Sequence, residues 1–161
     1  MTESSFLVDA QAVIDCEREA LETLSARLDE QFVHACKTLM ACTGRVVVTG
    51  MGKSGHIGGK IAATLASTGT PAFFVHPGEA SHGDLGMITP QDIVIAISNS
   101  GNTPEILTIL PIIKRMGITL IAMTGHPDSV LAEAADWVLN IGVTKEACPH
   151  NLAPKIGRAH V

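Results

Sequence analysis

From Arg45 onward the sequence alternates short apolar runs with stretches of helical spacing, and this alternation strongly restricts the fold. The apolar runs predict five strands, over residues 46–49, 72–75, 93–97, 120–123 and 137–141. The intervening stretches predict helices over residues 54–67, about 105–116 and 129–135. Strands that alternate with helices form parallel sheets with right-handed crossovers. The sequence therefore predicts an α/β fold, a doubly wound five-stranded parallel sheet.

The segment before the first strand has a different pattern. Apolar residues recur at helical spacing across residues 6–42, including Val13, Leu24 and Leu28, and predict two N-terminal helices or one bent helix. Such an arm packs on the body of the domain or on a second subunit. Because 46% of the 161 residues are hydrophobic and only 3% are aromatic, the core must consist of aliphatic side chains. Branched aliphatic residues suit buried parallel strands, and the length suits one domain.

Charge and cysteine content exclude several classes of function. A net charge of -5 provides no field that would attract a phosphodiester backbone, so nucleic acid is not expected as a partner. The N-terminus lacks the basic and apolar regions of a signal peptide, and no stretch is long enough to cross a bilayer. Cytoplasmic localisation is therefore expected. The four cysteines show no C-x-x-C spacing and are expected to be reduced thiols.

The loop after the first strand, residues 50–55, reads Gly-Met-Gly-Lys-Ser-Gly and opens a helix. It satisfies G-x-G-x-x-G, but a dinucleotide site also needs an acidic residue at the tip of the next strand, which here is Val75-His76. A P-loop would need glycine at Val47. What remains is an anion site made of backbone N–H groups, a helix N-terminus and the Lys53 ammonium. A tight turn with a solvated lysine is the alternative.

The loop after the third strand carries a second polar cluster. Residues 98–105 read Ser-Asn-Ser-Gly-Asn-Thr-Pro-Glu, in which Thr103 and Pro104 are typical of a helix start. An ordinary N-cap needs one hydroxyl, so three hydroxyls around Gly101 indicate a neutral cradle for phosphate oxygens. Ligands of open parallel sheets bind outside the carboxyl ends of the strands. The two loops together predict a site for a phosphorylated small molecule.

Four segments resemble one known family. They are residues 50–55, the His-Pro-Gly-Glu-Ala-Ser-His-Gly-Asp run at 76–84, Ser-Asn-Ser-Gly at 98–101 and Lys-Glu-Ala-Cys-Pro at 145–149. They are similar to the sugar isomerase (SIS) domain family, and within it to arabinose-5-phosphate isomerases. The resemblance implies a Rossmann- or flavodoxin-like sheet, a homotetramer and no cofactor. It also implies interconversion of D-ribulose 5-phosphate and D-arabinose 5-phosphate for lipopolysaccharide biosynthesis.

The resemblance also implies a role for each site residue. Glu146 is the first candidate for the base, with Glu105 second, Lys53 stabilises the enediolate and His82 contacts the sugar or handles a proton. The residues expected to bind the phosphate or substrate are Gly52, Ser54, Ser98, Asn99, Ser100, Thr103 and His76.

Plainer interpretations stay open for several of these residues. Glu105 is also explained by the helix dipole, and Glu146 by a surface pair with Lys145. A metal site at His76 and His82 lacks a defined ligand geometry, so no metal is expected.

Relatives of this kind continue beyond the end of the chain with a further helix and a catalytic histidine. The expected domain covers residues 1–154, and residues 155–161 are expected to be a non-native tail, because codons that would encode them resemble a sequencing adapter. At best residual isomerase activity is expected of the chain as it stands. The alternative function is a non-catalytic phosphosugar-binding module of the kind found in transcriptional regulators.

Overall fold

The computed structural model describes residues 3–80 and 83–148 of the chain. Five strands form one sheet: β1 Val46–Gly50, β2 Ala72–Val75, β3 Ile93–Ile97, β4 Thr119–Thr124 and β5 Trp137–Asn140. The helices are α1 Glu3–Ser25, α2 Glu30–Met40, α3 Gly52–Ser67, α4 Pro77–Ala80, α5 Pro104–Arg115 and α6 Val130–Ala134, with a 3₁₀ turn at Asp84–Met87. Neighbouring strands are parallel, in the order β2-β1-β3-β4-β5. The predicted five-stranded parallel fold with N-terminal helices is confirmed.

Helices cover both faces of the sheet, because side chains alternate between the faces along each strand. On one face Val47 and Val94 pack in a core with α5 and α6, and on the other Val46 and Val48 pack with α2 and α3. Every residue of β1 and β3 is buried. Burying one such aliphatic side chain stabilises the fold by about 2 kcal/mol. The central strands therefore anchor the loops that follow them.

The observed elements differ from the sequence-based ones mainly at their ends. The helix after β1 begins at Gly52 rather than at residue 54, and β4 is one residue longer at each end than predicted. The segment from 77 to 80 forms the short helix α4, although Pro77 and Gly78 are typical of a turn. Helix α2 begins at the Asp29 N-cap, whose carboxylate accepts N–H bonds from Gln31 and Phe32. This cap separates the N-terminal segment into two helices rather than one bent helix.

Within residues 3–80 and 83–148, no helix is both long enough and apolar enough to span a membrane. Cys16, Cys36 and Cys42 are free thiols. Helix α1 leaves several apolar side chains in solvent, including Leu7 at 75% exposure and Ile14 at 58%.

A buried carboxylate joins the amino ends of β1 and β3. Asp92 is 2% exposed and accepts N–H bonds from Arg45 (2.7 Å) and Thr89 (2.8 Å), one on each carboxylate oxygen. The Arg45 guanidinium adds an ion pair at 2.9 Å. Burial alone would raise the pKa of the Asp92 carboxyl, but hydrogen bonds from Arg45 and Thr89 outweigh it and lower that pKa to about 2. This cluster fixes the edge of the sheet opposite the polar loops.

Asp92→Asn is expected to lower the free energy of unfolding by about 3 kcal/mol at neutral pH. Both carboxylate oxygens accept backbone N–H bonds, so the amide NH₂ of asparagine must face one of these donors. The depressed pKa adds a pH dependence: the contribution of Asp92 is complete above about pH 4 and falls as the pH drops toward about 2. Urea unfolding of both proteins at several pH values measures this.

Asp136→Asn is the matched control. Asp136 also accepts a backbone N–H bond, from Leu120 at 2.8 Å, but its side chain is 41% exposed. Asp136→Asn is expected to lower the free energy of unfolding by about 1 kcal/mol, because water replaces the lost hydrogen bonds. Equal losses in the two variants would contradict the structural role given to Asp92.

Candidate functional site

The strand order reverses between β1 and β3, which are adjacent in the sheet but not consecutive in the chain. Their register aligns Gly50 with Ile97, so the loops that follow them begin at the same level. In open parallel sheets, the crevice at such a reversal is where ligands bind. The structure therefore brings the two polar loops together at this edge.

The first loop presents the N-terminus of α3. Helix α3 has no acidic residue in its first turn, and its N-cap Met51 makes no side-chain capping bond. The first N–H groups of such a helix have no intrahelical partners and carry partial positive charge. Lys53 is exposed and Ser54 is half-buried in this turn. Gly52 has a φ of 54° and open space around it, which permits close approach of an anion.

Glycines seat α3 closely on the sheet. A Cβ at Gly55 would lie 2.6 Å from the Gly50 carbonyl oxygen, and one at Gly58 would lie 3.1 Å from the Phe74 ring. Larger residues would push the first turns of the helix away from β1. The small side chains thus hold the helix N-terminus directly beside the carboxyl end of the strand.

The second loop, residues 98–103, is called the serine loop below. Ser98 is 3% exposed, and its hydroxyl lies 2.8 Å from the Thr103 hydroxyl and accepts the Gly101 N–H bond at 3.0 Å. Ser98 and Thr103 therefore close the loop from inside. Asn99 and Ser100 are exposed, and the Ser100 hydroxyl accepts the Asn102 N–H bond at 3.3 Å. The exposed side chains of this loop are those of Asn99, Ser100 and Asn102.

The two candidate bases lie in different places. Glu105 is exposed in the first turn of α5, directly after the serine loop. Glu146 is half-buried and lines a cleft of about 440 Å³ against α1, together with Asp9, Cys16 and Cys148. Neither Lys53 nor the serine loop lines that cleft. Within one chain Glu105 thus follows the serine loop at the strand reversal, whereas Glu146 lines the cleft against α1.

Two histidines, His56 and His76, lie beside the first loop, on the side of β2. His76 is half-buried and its Nδ1 accepts the Gly78 N–H bond at 3.2 Å, which leaves the proton of the neutral ring on Nε2. His76 lines a cleft of about 360 Å³ with His56, Gly52 and Phe74. His82 lies outside the described residues. Among the residues that the structure does describe, no three His, Cys, Asp or Glu side chains are grouped for a metal ion.

Sequence reasoning missed two parts of this site. The sequence assigns no role to His56, yet it lines the same cleft as Gly52 and His76. The segment after β4 also contacts the serine loop: Thr124 and Gly125 both donate to the Asn99 carbonyl. Thr124 and Ser129 carry buried hydroxyls, but their burial is known only from the folded chain, so no local sequence pattern pointed to them.

Comparisons with known proteins identify the family of this chain. The family model described as "SIS domain" matches residues 39–155. This chain belongs to the SIS domain family. It is 64% identical to arabinose 5-phosphate isomerase KdsD of Pseudomonas aeruginosa over 149 residues, which are 92% of the chain and 46% of that protein. It is 63% identical to arabinose 5-phosphate isomerase KdsD of Yersinia pestis over 142 residues, which are 88% of the chain and 43% of that protein.

A solved structure shares this fold. The structure of Escherichia coli CFT073 c3406 in complex with arabinose 5-phosphate has a TM-score of 0.94 and 44% identity, and the match covers 99% of the chain and 85% of that structure. The chain itself spans about half the length of the two curated relatives. The resemblance predicted from the four loop segments is confirmed at the level of the family.

Proposed function

We propose that this SIS domain is the isomerase domain of an aldose–ketose isomerase that interconverts D-ribulose 5-phosphate and D-arabinose 5-phosphate. The observation that carries the proposal is the pair of loops at the strand reversal. The loop that contains Lys53 follows β1, and the serine loop follows β3. The identity with arabinose 5-phosphate isomerases supports this choice of substrate. Lipopolysaccharide biosynthesis, which the resemblance implies, is part of the same proposal.

The phosphoryl group is proposed to bind between the two loops. The N–H groups at the start of α3 and the Lys53 ammonium supply positive charge. The exposed groups of Asn99 and Ser100, with the backbone between them, supply neutral donors. Gly52 and Ser54 complete the first loop. Ser98 and Thr103 keep the serine loop in shape rather than contact the ligand.

Isomerisation moves a proton between C1 and C2 of the sugar through an enediol, which a carboxylate can accomplish without a metal or cofactor. We assign this proton transfer to Glu105, because it follows the serine loop in the same chain. Lys53 stabilises the negative charge that develops on the sugar oxygen of the enediolate. His76, from the cleft beside Gly52, is proposed to contact sugar hydroxyl groups. His82 keeps the sugar-contacting or proton-handling role that the resemblance implies.

Glu146, the first candidate for the base by resemblance, requires a second copy of the chain in this proposal. Lys53 does not line the cleft that Glu146 lines against α1. The exposed apolar side chains of α1, such as Leu7 and Ile14, support the predicted homo-oligomer. A neighbouring copy would then bring its own α1 and Glu146 toward the site. The free thiols of Cys16, Cys36 and Cys42 fit a reducing compartment, and we place the protein in the cytoplasm.

The test measures conversion of ribulose 5-phosphate by two proteins. One is the 161-residue chain, and the other is a chimera in which its SIS domain is followed by the C-terminal half of the Pseudomonas aeruginosa relative. The chimera is expected to reach the same equilibrium mixture from either sugar phosphate. Unphosphorylated ribulose is the matched control and is expected to react with a kcat/KM lower by about 100-fold, since the phosphate contacts are lost.

Two results would count against the proposal. Equal turnover of ribulose and its phosphate would remove the role of the two loops. Tight binding of the sugar phosphate by both proteins without any turnover would favour the alternative function, a non-catalytic phosphosugar-binding module.

A further inference from the structure

The serine loop is held from behind by residues 124–131, which are called the bracing segment. The Asn99 carbonyl accepts the Gly125 N–H bond at 3.0 Å and the Thr124 hydroxyl bond at 3.3 Å. The Gly101 carbonyl accepts the Leu131 N–H bond at 3.0 Å. Two carbonyls of the serine loop therefore point toward the bracing segment.

The opposite side of the loop then carries N–H groups. In a trans peptide unit, the C=O of one residue and the N–H of the next point in opposite directions. The N–H groups of Ser100 and Asn102 are consequently turned away from the bracing segment. The Asn102 N–H bond to the Ser100 hydroxyl, at 3.3 Å, lies on this outer side. Because the hydroxyl accepts that bond, its own proton is available to an anion.

Thr124 is the buried side chain in this arrangement. It is 0% exposed, and its hydroxyl donates to Asn99 and accepts the His126 N–H bond at 3.2 Å. Both hydrogen-bonding capacities of the hydroxyl are thus used in holding two loop backbones together. A buried hydroxyl that is satisfied in this way fixes the geometry of its partners more than it adds to stability.

We propose that Thr124 is a positioning residue for phosphate binding. Through the Asn99 carbonyl, it keeps the Ser100 N–H directed at the phosphoryl group, although Thr124 itself contacts no ligand. This inference rests on the proposed function of the serine loop and adds the residue that sets the direction of its donors.

The test is a titration of the 161-residue chain with inorganic phosphate, followed by NMR at the Ser100 amide. Thr124→Val keeps the shape of the side chain and removes the hydroxyl, and it is expected to raise the phosphate Kd by about tenfold. Thr124→Ser restores the hydroxyl and is expected to return the Kd to within about twofold of the original. The Ser100 amide shift of the free protein should differ in Thr124→Val and return in Thr124→Ser.

Thr49→Val is the matched control for the loss of a buried hydroxyl. Thr49 is 2% exposed on β1, and its hydroxyl has no hydrogen-bond partner among the residues that the structure describes. Its replacement is expected to leave the phosphate Kd unchanged. If Thr124→Val does not fold, Asn102→Ala replaces it. The exposed Asn102 side chain also joins the serine loop to the bracing segment, because it accepts the Val130 N–H bond at 3.2 Å. That variant is expected to raise the Kd by about fivefold.

The outcomes separate the inference from the function on which it rests. An unchanged Kd in Thr124→Val, or equal weakening in Thr124→Val and Thr49→Val, would overturn the inference alone. If Thr124→Val does not fold, an unchanged Kd in Asn102→Ala would do the same. A lower melting temperature with an unchanged Kd would make Thr124 merely structural. If the unsubstituted chain shows no phosphate response at Ser100, the proposed function fails, and the inference fails with it.

Discussion

Gly101→Ala is expected to lower the free energy of unfolding by about 4 kcal/mol and to abolish phosphate binding by the serine loop. Gly101 has a φ of 63°, in the left-handed region, where a side chain costs about 1 to 2 kcal/mol. An added Cβ would also lie 1.9 Å from the Ser129 hydroxyl oxygen and 2.3 Å from the Ser129 Cβ. Urea unfolding and phosphate titration together measure both effects.

The clash at Gly101 cannot be relieved by a small movement. Ser129 is 3% exposed at the N-cap of α6, where its hydroxyl accepts the Ala132 N–H bond. The Gly101 carbonyl is bonded to the Leu131 N–H, so the loop and the helix start are tied at this point. To admit a methyl group, either the serine loop or α6 must move. Movement of the loop would displace the outward N–H groups that are proposed to bind phosphate.

Gly117→Ala is the control for Gly101→Ala, because Gly117 has a φ of 70° and nothing within 4 Å of an added Cβ. Only the backbone strain remains there, so the free energy of unfolding is expected to fall by about 1 to 2 kcal/mol. In a second control, Ser129→Gly in the Gly101→Ala background is expected to restore part of the lost stability, since it removes the two closest atoms and leaves the Thr124 hydroxyl oxygen at 2.9 Å. Equal losses at Gly101 and Gly117 would show that the crowding against Ser129 is not the cause.

Lys53→Met is expected to lower kcat/KM for ribulose 5-phosphate by about 1000-fold in the chimera, with little change in melting temperature. In the proposed mechanism, the ammonium binds the phosphoryl group and stabilises the enediolate, and methionine keeps only the apolar length of the side chain. Lys53 is exposed in the structure, so its removal leaves no cavity. Steady-state kinetics with both sugar phosphates, together with thermal unfolding, measure this effect.

Lys60→Met is the matched control, because Lys60 lies on the same helix and is also exposed. Lys60 lies two turns further from the helix N-terminus than Lys53 does, beyond the proposed anion site. Its replacement is expected to change kcat/KM by less than about threefold. Similar losses in both variants would mean that the net charge of the helix, rather than the position of Lys53, attracts the substrate.

The strands and loops of this SIS domain were readable from the sequence for a simple reason. Parallel strands covered on both faces need nearly continuous aliphatic runs, such as Val46 to Val48 and Ile93 to Ile97, and few other patterns produce them. The glycines and hydroxyls between the runs marked the two loops at the strand ends. Helix ends were less accurate at α3, since Gly52 begins that helix although glycine is also common in loops, whereas Thr103 and Pro104 begin α5 as predicted.

Tertiary structure decided which of these residues meet. The sequence by itself determined the α/β class, the strand positions and the two polar loops, because each depends on local periodicity and on residues within one loop. Only the folded chain pairs β1 with β3, turns Ser98 inward toward Thr103, and joins Asp92 to Arg45 across the edge of the sheet. It also places Glu146 in the cleft against α1 and Thr124 behind the serine loop. These contacts join residues that are distant in the chain or depend on side-chain direction, and no local pattern encodes either property.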